Sequence, residues 1–309
     1  MTRTLAPHGA REPLAPRASA KRNLDVVSLC AVMPGDGASS LREHHRPRKT
    51  VPSAPDLVAG IRLTPTDVDD GDLYEAISTR RTNRNEYGDF ALDPRIVERL
   101  QDDVAGFPGV TLRLLTSDAD KGRFASATVA ATKAFIADDE MLRDSDQWFR
   151  HTEEQIDAHR DGPTLDAQIR SNTIAAFAKG GQQVSAERSG SIWLSSTERI
   201  HTGPCSAYAV ISTPTFVDQP AAVAAGRAYQ RLTLRLEALG LAAQPLSQLA
   251  EMRDREVQLE AEPEFGRRLD ELTAEGEFAQ QLFRLGYARH EADKSPRRPL
   301  SWVVMGEEA

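Results

Sequence analysis

From Asp72 onward, apolar and polar positions alternate with helical or strand spacing, and residues that start or stop such elements bound each run. Asp72-Leu73-Tyr74-Glu75-Ala76-Ile77 reads as a short helix with Leu73, Ala76 and Ile77 inward. Asp93-Pro94 opens a second helix. Asp93 is a good N-cap, Pro94 has no N–H to lose in the first turn, and Ile96, Val97 and Leu100 share one face. Phe107-Pro108-Gly109 is a turn, and Val110–Leu115 alternates as a strand. Ser117 and Asp118 cap a long helical region, with Phe124, Ala127, Val129, Ala131, Ala134, Phe135 and Ile136 on a broad apolar face. Trp148, Phe149 and Ile156 continue that spacing until Asp161-Gly162-Pro163 breaks it.

Further on, Ala175–Ala178 reads as helix, and Lys179-Gly180-Gly181 and Ser189-Gly190-Ser191 read as loop. Cys205–Ser212 is a second strand. Ala221–Leu239 is the strongest helix, with Gly240 where helices commonly stop. Leu300–Met305 reads as a final strand. Helices alternate with few strands and without a regular βαβ rhythm, which predicts an α+β fold with an antiparallel or mixed sheet. The chain shows no internal repeat.

Ahead of this body the pattern is lost. Residues 1–50 hold Pro7, Pro13, Pro16, Pro34 and Pro47, a density that interrupts helix and strand alike. They carry nine Lys/Arg against four Asp/Glu, so the segment is +5 while the whole chain is −8 and the remainder −13. A secretory leader would need a longer apolar stretch and a clear cleavage site. A nucleic-acid arm would draw on Arg46-Pro47-Arg48-Lys49 but lacks interleaved aromatics, and an acidic body argues against nucleic acid as partner. The plainer reading is a flexible basic arm over 1–50, followed by one domain over 51–309. No apolar run nears the ~18 residues of a membrane span. Two cysteines, Cys30 and Cys205, leave no disulfide framework and no four-Cys zinc site, and a cytoplasmic location is expected.

Several chemistries have no signature here. The phosphate loop of nucleotide hydrolases, the G-x-G-x-x-G dinucleotide turn and the G-x-S-x-G elbow are missing. Asp138-Asp139-Glu140 reads as a solvated helix end, because consecutive helical carboxylates point to different sides. No metal site and no catalytic side chain is assigned. His201 and Cys205 would make a thiol–imidazole pair only across a turn such as Gly203-Pro204, since residues four apart on a strand are about 13 Å distant. A buried strand cysteine is the simpler reading.

What remains is arginine. Arg80, Arg81 and Arg84 follow the first helix with Thr82 between them, and Arg297 and Arg298 lie between Pro296 and Pro299. Guanidinium forks bind phosphate bidentately and a hydroxyl adds a short hydrogen bond, so two such clusters could converge on one dianion. The competing reading is surface arginines paired with acids such as Glu86 and Asp89.

These segments resemble the nitroreductase superfamily. Leu73–Phe90 is similar to its opening, where R-R-[ST]-x-R follows a short helix. Gly226–Ser247 is similar to its central helix and the following turn, and Phe283–Leu300 to its closing R-x-G-Y and P-R-R-P-L runs. The likeness is greatest to the Acg-like branch, through Trp148, Arg150, Asp161, Gly162, Leu165 and Asp166, although that branch's N-terminal N-T-Q-P-W half has no counterpart and the basic arm stands in its place. The resemblance implies an α+β domain with a mostly antiparallel sheet flanked by helices, and a homodimer that binds FMN. It also implies NAD(P)H as co-substrate and reduction of a nitroaromatic, quinone, enone or specialised small-molecule or peptide substrate. It places Arg80, Arg81, Thr82 and Arg84 at the FMN phosphate and ribityl chain, Gly240 and Leu241 near the isoalloxazine, and Arg297 and Arg298 at the phosphate. A non-catalytic relative that sequesters flavin, or has lost it and binds a partner, is the other outcome the resemblance allows.

Overall fold

The computed structural model describes residues 71–150, 152–164 and 186–303. The basic arm and the expected helix at Ala175–Ala178, with the glycines after it, lie outside the described residues. The central unit is an antiparallel sheet of four strands in the order β1 (Thr111–Leu115), β2 (Ala207–Thr213), β4 (Phe278–Gly286), β3 (Ala242–Pro245). Every residue of β2 is buried, because both faces of the sheet are covered. Its alternation sorts the two sides. Ala207, Ala209 and Ile211 join one core cluster, and Tyr208 and Val210 join the other.

The Ala207 side packs on α2 (Pro94–Ala105) and the long α7 (Gln219–Ala238), where Ala225, Ala228 and Leu232 meet the small strand residues. The Tyr208 side packs on α3 (Asp118–Ala137), α8 (Gln248–Gln258) and α9 (Glu264–Asp270). Phe124, Ala127, Ala131 and Phe135 recur along α3 at helical spacing and form its inner stripe. Phe124 stacks on Tyr208 with ring centroids 4.2 Å apart. The helix–sheet–helix layering is the α+β architecture that the pattern predicts.

The caps behave as the sequence reads. Asp93 accepts from the Arg95 N–H at 2.8 Å at the start of α2, and Ser117 accepts from the Asp120 N–H at 3.1 Å at the start of α3. At the end of α7, Gly240 takes φ +73°, its N–H bonds the Glu237 carbonyl, and the Leu241 N–H bonds the Leu236 carbonyl at 2.7 Å. This Schellman closure turns the chain directly into β3.

Four local expectations are corrected. Ile77 points outward and is 47% exposed, because α1 (Gly71–Thr79) lays only Leu73 and Ala76 against Leu234. The helix does not run through Trp148 and Phe149. It restarts at Asp138, which caps α4 (Asp139–Asp146), and then ends, because the Arg150 N–H bonds the Pro163 carbonyl at 3.0 Å. A new helix, α5 (Glu153–His159), starts at Thr152. Ser189-Gly190-Ser191 lies inside α6 (Ala186–Ser196), where the missing side chain of Gly190 lets the helix approach Ile136 closely. Leu300–Val303 is a turn of helix opened by Pro299, not a strand.

One buried ion network joins α1, α2 and α7. Asp103 is 6% exposed and accepts from Arg235 Nε at 2.7 Å and from Arg231 Nε at 2.9 Å, while Arg235 also pairs with Asp72. Removing one member strands a buried charge, so Asp103→Ala is expected to cost about 3–5 kcal/mol. Urea denaturation checks this, and the double variant Asp103→Ala/Arg235→Met should lose clearly less than the sum of the two single losses.

Candidate functional site

The arginine segment after α1 is an extended strip rather than a helix, and it is stitched to the residues that follow β4. Asn83 donates its backbone N–H to Ala243 on β3 at 3.1 Å and its side-chain amide to the His290 carbonyl at 2.7 Å. Arg81 Nη1 donates to the Ala292 carbonyl at 2.7 Å, the Gly88 N–H to Tyr287 at 2.8 Å and the Arg289 N–H to Glu86 at 2.9 Å. Thr82 pairs with Ala243 as a backbone bridge beside β3. The turn at Gly240 and Leu241 thus starts the strand that carries the strip, with Gly240 exposed and Leu241 buried beneath it.

The strip closes over Arg284. This residue lies on β4 opposite Tyr208 of β2 and Gln244 of β3, and it is fully buried. Its guanidinium donates in three directions: Nε to Gln244 Oε1 at 2.7 Å, Nη1 to the Ile200 carbonyl at 2.6 Å, and Nη2 to the Asn85 carbonyl at 2.7 Å. Its Cζ lies 4.0 Å from the centroid of the Tyr87 ring, a cation–π contact in a desolvated setting. The Tyr87 hydroxyl in turn donates to the Asn83 carbonyl at 2.8 Å. Two residues on, Gly286 has φ +154°, and a Cβ there would lie 2.8 Å from the Ser206 nitrogen, so only glycine passes.

No carboxylate hydrogen-bonds this cation among the described residues. Burial pushes the Arg284 guanidinium below the usual arginine range. Arg84 is partly buried and is pushed the same way, first by burial and further by Arg284. The side chains of Arg80 and Arg84 make no hydrogen bond or ion pair with a described residue. Two guanidiniums therefore lie close together with no carboxylate hydrogen-bonded to either among the described residues. Arg297 and Arg298 are disposed differently. Arg298 Nη2 is paired with Asp161, whose carboxylate also holds Arg150, and Arg297 donates to the carbonyls of Ser295 and Pro296.

His201 and Cys205 lie beside Arg284. His201 ends a π-helical turn, Thr197–His201, that follows α6, and the next turn leads into Cys205. Both are buried, and burial raises the thiol's pKa, so Cys205 is no thiolate. His201 is held down to about 3, first by burial, then by Arg284 and Arg84. Its imidazole is therefore neutral at physiological pH. Arg284 and Tyr87 carry no role in the sequence reading, and His201 is weighed there only as a mate for Cys205. The signal for Arg284 was a charged residue inside the apolar run Leu282–Leu285, within the R-x-G-Y motif. Among the described residues no group of three His, Cys, Asp or Glu is placed to hold a metal ion, and no helix is long and apolar enough to cross a membrane.

No family model matches the chain, and no curated protein matches it. Among solved structures it is similar to the FMN-dependent nitroreductase NfnB from Mycobacterium smegmatis, in complex with NADPH, at 17% identity and a TM-score of 0.47, over 77% of this chain and 99% of that one. It is similar to a nitroreductase with bound FMN from Bacteroides fragilis at 13% identity and a TM-score of 0.45, over 76% and 98%. A nitroreductase-like protein from Bacillus cereus aligns at 13% identity and a TM-score of 0.43, over 80% and 100%.

The buried histidine makes stability depend on pH. An unfolded imidazole titrates near ~6.5 and the folded one at about 3, so between these values the unfolded chain binds a proton that the folded chain does not. Stability therefore falls as pH drops below ~6.5, by up to about 1.4 kcal/mol per pH unit from this residue. Denaturant titrations at about pH 7.5 and 4.5 should show a larger loss in the wild type than in His201→Phe. Equal losses in both would contradict the assignment.

Proposed function

We propose that the protein is an FMN-dependent oxidoreductase of nitroreductase type, working as a homodimer with NAD(P)H as reductant. The observation that carries this reading is the cationic site, in which Arg84 has no ion pair among the described residues and lies beside the buried Arg284, with Arg80 and Thr82 on the same strip. Two guanidiniums without an ion pair among the described residues, and a hydroxyl, suit a phosphate dianion, because charge-assisted bonds are strongest where desolvation has already been met. The R-R-T-x-R spacing supports FMN as the bearer of that phosphate.

When bound, the flavin supplies the redox chemistry, taking reducing equivalents from NAD(P)H and passing them to a nitroaromatic, quinone, enone or related small-molecule acceptor. The chain's own work is to bind, orient and exclude water. Arg80, Thr82 and Arg84 hold the phosphate and ribityl end. Gly240 and Leu241 supply a turn with a buried apolar residue for the ring side. Arg81 ties the strip to Ala292 and keeps the three contacts in register. Arg298 is neutralised by Asp161, so the phosphate site rests chiefly on the strip. That neutralisation favours a second reading, a relative without catalysis that uses the cationic site to bind a partner.

The purified protein is expected to be yellow, with the two-band visible absorbance of oxidised flavin, or to acquire that spectrum on adding FMN. Arg84→Ala should weaken FMN binding by roughly 10–100-fold, the loss of one charge-assisted bond, as read by flavin fluorescence quenching. A colourless protein that takes up no FMN would sink the oxidoreductase reading and leave the second one.

A further inference from the structure

Among the described residues, a ring nitrogen of a buried histidine beside this site has no hydrogen-bond partner. His201 is 3% exposed, and its Nε2 makes no hydrogen bond. A polar atom removed from water without a partner is costly, and such atoms are rare in folded proteins. The other ring nitrogen, Nδ1, faces the Thr197 hydroxyl at 3.5 Å. With that hydroxyl turned toward Nδ1, the ring hydrogen resides on Nε2, which becomes a donor.

Arg284 fixes where this donor lies. One Nη holds the carbonyl of Ile200, the residue before His201, and the other holds the carbonyl of Asn85, the residue after Arg84. A single guanidinium therefore sets the two segments on either side of itself. The Arg84 guanidinium, which has no ion pair among the described residues, and the His201 ring, with its Nε2 unsatisfied there, both lie beside that buried guanidinium. No carboxylate hydrogen-bonds that group among the described residues.

We propose that His201 is a ligand-contacting residue, with its Nε2–H and the Arg84 guanidinium forming the donor pair of one internal oxyanion pocket that takes a phosphate or phosphomonoester. A neutral imidazole suits this place because it adds a hydrogen bond without a third positive charge. That the phosphate belongs to FMN rests on the flavin reading. The pocket itself does not.

The probe is orthophosphate, titrated calorimetrically into the purified full-length protein, with FMN and riboflavin in parallel. Saturable phosphate binding is expected, abolished in Arg84→Met and weakened roughly tenfold in His201→Phe. His201→Gln keeps an N–H donor and should retain most of the affinity. In wild-type protein with isotopically labelled histidine, the His201 ring-nitrogen resonance should move along the same binding curve, a readout that needs no variant to fold. FMN should compete with phosphate and riboflavin should not. Absence of phosphate binding, a His201 resonance unmoved at saturation, or unchanged affinity in a folded His201→Phe variant would each overturn the proposal. Flavin uptake without any phosphate binding overturns it and leaves the oxidoreductase reading standing. Phosphate bound through His201 without flavin uptake supports it and removes FMN as the source.

Discussion

The guanidinium of Arg284 is the interaction on which the site depends. A cation buried in a sheet is unfavourable unless its donors are satisfied. Here they are satisfied by a glutamine of the neighbouring strand and by two backbone carbonyls from distant parts of the chain. Carbonyl oxygens accept without cancelling the charge. The arrangement therefore fixes three segments and still projects a positive field, which a carboxylate in the same position would quench. Tyr87 adds its ring face to the same cation and its hydroxyl to the strip, so it couples the field to the backbone that carries Arg84.

Elements with strong local signals were legible in the sequence. Asp93-Pro94, Ser117 and Gly240 act through their own backbone neighbourhoods, so their roles do not depend on what packs against them. The strands β3 and β4 were not. Ala242–Pro245 has four residues and contains proline, and Phe278–Gly286 interrupts its apolar run with Gln280, Gln281 and Arg284. Both become strands because β2 offers an edge to β4 and β4 offers one to β3. Gly190 misled for a similar reason. Taken alone, Ser-Gly-Ser breaks a helix, but a crowded crossing with Ile136 makes the lack of a side chain an advantage.

The candidate site divides along the same line. Arg80, Thr82 and Arg84 stand out as a run, and the guanidiniums of Arg80 and Arg84 have no hydrogen bond or ion pair among the described residues. Arg297 and Arg298 stand out equally in the sequence, yet Arg298 is spoken for by Asp161, an acid 137 residues away that no spacing argument reaches. His201 was weighed only as a mate for Cys205. Its setting comes from Arg284 and Arg84, which are remote in sequence, and a lone histidine gives no hint of such company.

The distance along the chain between the two halves of the strip's attachment has a consequence for synthesis. Asn85 and Arg284 are 199 residues apart, and Arg81 and Ala292 are 211 apart. A ribosome adding about 5–20 residues per second makes the early segment wait roughly 10–40 s for its anchor. During that interval residues 80–90 have no sheet to join. Their charges and asparagines keep them hydrated, where an apolar strip of the same length would seek other chains. The polar character that gives the strip its arginines is also what lets the nascent chain hold residues 80–90 in reserve for the last strand of the sheet.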